Sequence, residues 1–180
     1  MEPGQHAAGY TQLARVLHWL TAALVLVMLP LGLVIANEAG GRLQGVLYNA
    51  HKSIGALILL LVVVRLAYRL THRPPPLPDD IPPLQRLAAE ATHWALYALL
   101  ILQPLLGWAG TSAYPAPVPF FGLFDLPPLV TADRALSDQL LHWHRMTGLA
   151  LAGLASLHVA AALYHHFVRR DRVLLRMLTG

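Results

Sequence analysis

Ten histidines and no cysteine in a chain of 180 residues confine its metal chemistry to imidazole, carboxylate and thioether ligands. The missing thiols remove disulfides, iron–sulfur clusters, thiolate metal centres, CxxCH attachment and thiol catalysis together. What carries information is the spacing of the imidazoles. His144 and His158 are 14 residues apart, which on a helix is about 21 Å of rise and a return to within about 40° of the same direction. His165 follows seven residues later and falls close to the same face. One helical stripe therefore presents imidazoles at two or three depths. His18, His51 and His93 each lie in a different hydrophobic segment and are the candidates to meet that stripe.

The elements that must position them read as membrane helices. The chain is 56% hydrophobic and 12% charged, where a soluble domain carries about 25% charged residues. The deficit is concentrated in four apolar stretches, at about 14–36, 50–71, 90–112 and 138–168. Each has the roughly 20 apolar residues that a bilayer core requires. The first is too long for a signal-peptide core and lacks a small-residue cleavage site after it, so it is expected to be retained. Pro104 is expected to kink the third. The connector PPPLPDDIPP at 74–83 is too proline-rich for helix. Residues 114–130 are apolar but hold five prolines, which predicts a cap over one mouth of the bundle rather than a span. The tail 169–180 is basic and amphipathic. These features predict an all-α fold, an integral membrane four-helix bundle, as a single domain over residues 1–180.

Charge gives an orientation. Of the 13 Lys and Arg residues, nine flank one side: Arg15, Arg65, Arg69, Arg73, Arg86, Arg169, Arg170, Arg172 and Arg176. Arg42, Lys52, Arg134 and Arg145 flank the other. The positive-inside rule then places both termini in the cytoplasm. The formal charge of +4 reads as topology signal and lipid-headgroup contact, with no nucleic-acid partner implied.

With that orientation, His51 and His144 share the outer depth, while His18 and His158 form the inner pair. His93 lies at the inner depth too and competes with His158 to face His18. A single membrane histidine can simply hydrogen-bond a neighbouring helix. Four at two matched depths on opposing helices point instead to cofactors, since intramembrane polar groups are costly and usually serve function. Haem iron takes two axial imidazoles, and a four-helix bundle supplies them from facing helices. Small residues line the route, Gly148, Ala150, Ala152, Gly153 and Ala155 with Gly55 and Ala56, and leave room for a flat macrocycle. His142 reads as interfacial, His72 as a connector residue and His6 as part of a mobile tail. Trp19, Trp94, Trp108 and Trp143 read as an aromatic belt, with electron relay or quinone stacking as the alternative. Lys52 and Arg145 each follow an outer histidine. They read either as cations for lipid phosphate or haem propionate, or as an outward positive field for a small anion.

Six motifs carry a resemblance: RVLHW at 15–19, HKSIG at 51–55 with VVVRLAYRL after it, THWALY at 92–97, QPLLGW at 103–108, LHWHRMTG at 141–148 and LHVAAALYHHF at 157–167. Together they resemble the bacterial cytochrome b561 family across all four helices. The resemblance implies a dihaem protein of the inner membrane with two haem b groups, one held by His18 and His158, the other by His51 and His144. It thereby favours His158 over His93. It also implies electron transfer from periplasmic superoxide to ubiquinone, with His165 near the quinone. The residues expected to act on substrate are Lys52, Arg145 and His165. Two other functions remain open. One is a haem-bearing anchor that links a redox partner protein to the quinone pool. The other is a haem-free transporter or scaffold whose histidines are packing groups.

Overall fold

The computed structural model describes residues 9–37, 42–78 and 80–180; His6 lies outside them. Four helices are long and apolar enough to cross a membrane: α1 (Gln12–Asn37), α2 (Arg42–Thr71), α3 (Pro83–Ala113) and α4 (Arg134–Tyr164). The first three contain their predicted spans, and α2 and α3 run well past them, because backbone hydrogen bonding continues beyond the hydrocarbon-length apolar window. α4 ends at Tyr164, four residues before the predicted end at 168, where the backbone passes into a π-helical turn. α3 opens with Pro83 in its first turn, where a missing N–H costs nothing. α4 is capped by Asp133, whose carboxylate accepts from the Leu136 N–H at 3.0 Å and satisfies one orphan donor of the first turn. Pro30 and Pro104 sit inside α1 and α3.

α1 packs on α2, α2 on α3, and α3 most extensively on α4. α4 does not close with comparable backbone contact on α1 or α2. At mid-depth the bundle is filled by Val25, Ile58, Val62, Tyr97, Leu100 and Leu151. Leu151 stands seven residues from both His144 and His158, so an apolar plug separates the two histidine levels of α4.

The two ends of the bundle are closed differently. At one end, residues 114–133 fold over the mouth as the cap that their prolines predict. A short hairpin pairs β1 (Pro119–Phe120) with β2 (Phe124–Asp125). Its turn uses Phe121 and Gly122, both with positive φ, a conformation glycine adopts freely and phenylalanine does not. Ser53 of α2 is buried against this turn and accepts from the Phe121 N–H at 3.0 Å. The same hydroxyl lies 2.8 Å from the Pro119 and Asn49 carbonyls and donates to one of them. Trp108 Nε1 donates to the Pro127 carbonyl, and Ser112 accepts from the Leu129 N–H.

At the other end, α4 passes into a π-helical turn (His165–Arg169) that stops at Arg170 in the left-handed region, φ 55°. The chain then folds back into a single turn, α5 (Leu175–Leu178). Arg15 donates to the Leu178 carbonyl at 3.0 Å, Trp19 Nε1 to that of Met177 at 2.9 Å, and Arg176 to that of Pro76. The basic tail is thus strapped across the start of α1 and the proline-rich connector. Trp19 and Trp108, expected from the sequence as belt residues, each tie a loop or tail carbonyl to a helix through the indole N–H.

Replacing Ser53 with alanine leaves the Phe121 N–H and a carbonyl without their partner, a loss of about 1–3 kcal/mol. The expected result is faster protease cleavage within 114–130, with the helical circular dichroism of the bundle retained. An equally resistant loop would show that the hairpin is held elsewhere.

Candidate functional site

The stripe on α4 meets histidines from other helices at both predicted levels. His51 of α2 and His144 of α4 face each other with ring centroids 6.0 Å apart, 79° between planes. His18 of α1 and His158 of α4 stand 6.4 Å apart at 69°. Two metal–nitrogen bonds of about 2 Å plus two ring half-widths of about 1.1 Å put a trans imidazole pair about 6 Å apart, centroid to centroid. Both pairs have that spacing. Among the described residues no three histidine or acidic side chains converge as a cage for one ion, so the arrangement is of facing pairs.

The level under the hairpin is the better prepared. His144 Nδ1 lies 2.8 Å from the Gln103 carbonyl. A carbonyl only accepts, so Nδ1 carries the ring hydrogen and Nε2 keeps its lone pair, the tautomer that a metal needs. The Gln103 side chain is itself held by Thr147, whose hydroxyl donates to Oε1 at 2.5 Å. Two glycines make this possible. A Cβ on Gly107 would come within 3.0 Å of the His144 ring, and one on Gly148 within 2.9 Å of the Gln103 amide. His51 Nδ1 is buried with no hydrogen-bond partner.

The other level is more crowded. His93 of α3 also faces His158, at 5.4 Å, so His158 meets one imidazole from α1 and another from α3 in two separate pairs. Arg65 donates from Nη2 to His18 Nδ1 at 2.8 Å, and its guanidinium lies 5.2 Å from the Tyr97 ring centroid. An arginine only donates, so His18 Nδ1 is the acceptor here. Ligation of iron through His18 Nε2 therefore requires this long side chain to turn off the ring.

The remaining candidates fall into place around these levels. Lys52 is partly buried and donates from Nζ to the Pro117 carbonyl at 2.8 Å, so its charge lies beneath the hairpin. Arg145 is exposed beside His144. Trp143 and His142 are exposed and touch edge to face. His72 stacks on Tyr68 outside the bundle interior. His165 opens the π-helical turn, and its Nδ1 donates to Asp171 Oδ2 at 2.5 Å. Gln103, Gly107 and Asp171 were not singled out from the sequence. QPLLGW held the signal for the first two, a proline and a glycine flanking one helical turn; nothing local marks Asp171.

Burial by itself would raise the Asp171 carboxyl. The hydrogen bond from His165, the Val173 N–H at 3.0 Å, the charge of His165 and the Arg169 side chain outweigh it and hold the group below its ordinary 3.8.

An all-helical membrane bundle with facing imidazole pairs inside it is the architecture of a membrane b-type cytochrome. Comparison with known proteins agrees. Residues 9–180 match the family model of prokaryotic cytochrome b561. Cytochrome b561 homolog 2 of Escherichia coli strain K12 is 35% identical over 173 residues, 94% of this chain and 90% of that protein. Probable superoxide oxidase CybB of Yersinia pestis is 30% identical over 162 residues, 90% and 91% of the two chains. Cytochrome b562 of Cereibacter sphaeroides is 30% identical over 178 residues, 94% and 95% of the two. The chain belongs to the prokaryotic cytochrome b561 family, membrane proteins that bind haem b and transfer electrons.

A carboxyl that titrates below 3.8 when folded contributes docking energy fully above that value and loses it as pH falls through the lowered one. Protection of residues 171–180 against hydrogen exchange, taken relative to the intrinsic rate at each pH, is therefore expected to fall below about pH 4, while the spans stay protected. A tail equally protected at pH 3 and pH 7 would contradict the role given to Asp171.

Proposed function

We propose that this protein carries two haem b groups and moves electrons across the bacterial inner membrane from periplasmic superoxide to ubiquinone. His51 and His144 hold one haem, and His18 and His158 the other. The observation that supports this most directly is the pair of facing imidazoles at each of two depths, with α4 common to both. His144 and His158 are separated by about 21 Å of helix rise. His93 sits against His158 as a neighbour of the inner site. Both termini lie in the cytoplasm, in keeping with nine of 13 cations on the strapped face.

Bound haems supply one-electron carriers; the chain supplies ligation, separation and a dry, low-dielectric shell. Two superoxide anions surrender one electron each and leave as dioxygen, a step that transfers no proton and needs no acid–base pair. One quinone takes two electrons and two protons to become quinol. Lys52, under the hairpin, and exposed Arg145 provide positive potential where an anion approaches. His165, at the opposite end, carries an imidazole that can accept and donate a proton and serves proton delivery.

A second reading, a haem-bearing anchor for another redox protein, is favoured by one feature. Phe121, Leu123 and Phe124 of the hairpin are all exposed, an apolar tip of the kind that partners cover.

Two measurements test the proposal. His144→Ala is expected to remove mainly one spectral haem component and His158→Ala the other; loss of the same component in both would break the pairing. Purified protein is expected to be reduced rapidly and saturably by superoxide, with ubiquinone as terminal acceptor. Slow, non-saturating reduction would favour the anchor reading.

A further inference from the structure

The proton side of the reaction has a structural counterpart that the haem sites do not use. His165 and Asp171 form a close imidazole–carboxylate pair, 2.5 Å between Nδ1 and Oδ2, with side chains only 17% and 13% exposed. His165 lies seven residues beyond His158 on α4, about 10 Å further along the axis and on nearly the same face. The pair therefore stands between the inner histidines and the strapped face. Arg169 from the same π-helical turn reaches both Asp171, 3.4 Å away, and Asp80 of the connector, 2.7 Å away. Asp80 is 68% exposed. A row of charged groups thus runs from solvent at Asp80 through Arg169 and Asp171 to His165.

The backbone is bent to make this row. π-Helical turns are rare and often mark functional positions. Here the turn and the left-handed Arg170 let the Asp171 N–H bond back to the His165 carbonyl at 3.2 Å. That loop brings the carboxylate under the imidazole six residues before it, a separation that a continuing helix would hold about 9 Å apart along its axis.

We propose that Asp171 is the positioning residue for proton delivery to the quinone: it fixes Nδ1–H of His165, so that Nε2 is the atom that takes up and releases protons, and Arg169, anchored on Asp80, holds the Asp171 carboxylate in place. This rests on the quinone reading above. The stoichiometry is that of the overall reaction: two electrons from two superoxide anions and two protons from the cytoplasm convert one quinone to quinol. His165 passes the protons one at a time from Nε2 to a quinone oxygen and takes each replacement proton back at Nε2 from cytoplasmic water, while Nδ1–H stays on Asp171. The charged and titratable groups around the pair are Arg169 from its own turn, Asp80 of the connector through Arg169, and the neutral phenol of Tyr164 at the edge of the ring, 6.0 Å between centroids.

The test is the pH–rate profile of ubiquinone reduction in holoprotein, wild type against Asp171→Asn and Asp171→Glu. Reduction of the haem by superoxide is followed separately in each, and docking of residues 171–180 by limited proteolysis. Removing the carboxylate takes away the counter-charge of a protonated imidazole. Asp171→Asn is therefore expected to slow quinone reduction about tenfold or more, as loss of an orienting partner does. Its alkaline limb is expected to move to lower pH, and Asp171→Glu to restore most of the rate. Unchanged rate and profile in Asp171→Asn would overturn the proposal. So would a loss equal at every pH that accompanies an undocked tail, since that is a purely structural effect. Wild-type protein that accepts superoxide electrons but reduces no quinone would instead overturn the quinone reading on which the proposal stands.

Discussion

An imidazole in a bilayer has no water to satisfy it, and this chain carries several of them on one helix. That constraint shapes the rest of the molecule. α4 presents His144, Leu151 and His158 at seven-residue intervals, with His165 seven further on in the π-helical turn that follows, close to two turns each, so an apolar level separates the first two polar ones along one stripe. The other helices answer level by level, with His51 opposite His144, an apolar cluster around Leu151, and His18 with His93 around His158. In a membrane, where burial of apolar surface between helices drives little association, these pairings and the tight α3–α4 seam hold the bundle in register.

The two levels differ in how far the protein prepares them. Around His144, a backbone carbonyl, a buttressed glutamine and two glycines set the tautomer and the ring position. Around His18, a charged guanidinium occupies Nδ1 instead. A rigid level on the hairpin side and an adjustable one on the strapped side suit different tasks. In the proposed reaction the first would meet the small diffusible anion, and the second would lie near the larger acceptor that takes protons as well as electrons.

Both faces are closed by segments with little regular structure, and each closure is made by side chains reaching for backbone. Ser53, Lys52 and Trp108 tie down the hairpin; Arg15, Trp19 and Arg176 tie down the tail. Proline-rich backbone offers carbonyls with few N–H groups to match them, so long donors from the helices are the natural partners. The same economy brings Asp171 to His165, because a tail strapped across the bundle must first turn back at the end of α4.

Much of this was legible in the residues. Four spans follow from apolar length, the cap over one mouth from five prolines, and the matched depths of His18, His51, His144 and His158 from helix rise on the fourth span and the position of each other histidine in its own span. The spacing of one stripe fixes which levels exist, since α-helical geometry is local and the same in any fold. Which side chains meet across the bundle is not local. The gathering of His93 with His18 at His158, the lodging of Gln103 and Gly107 against His144, the Arg65–His18 contact and the return of Asp171 to His165 depend on helix rotation and loop path. Those are set by packing between segments distant in the chain, and only the tertiary structure decided them.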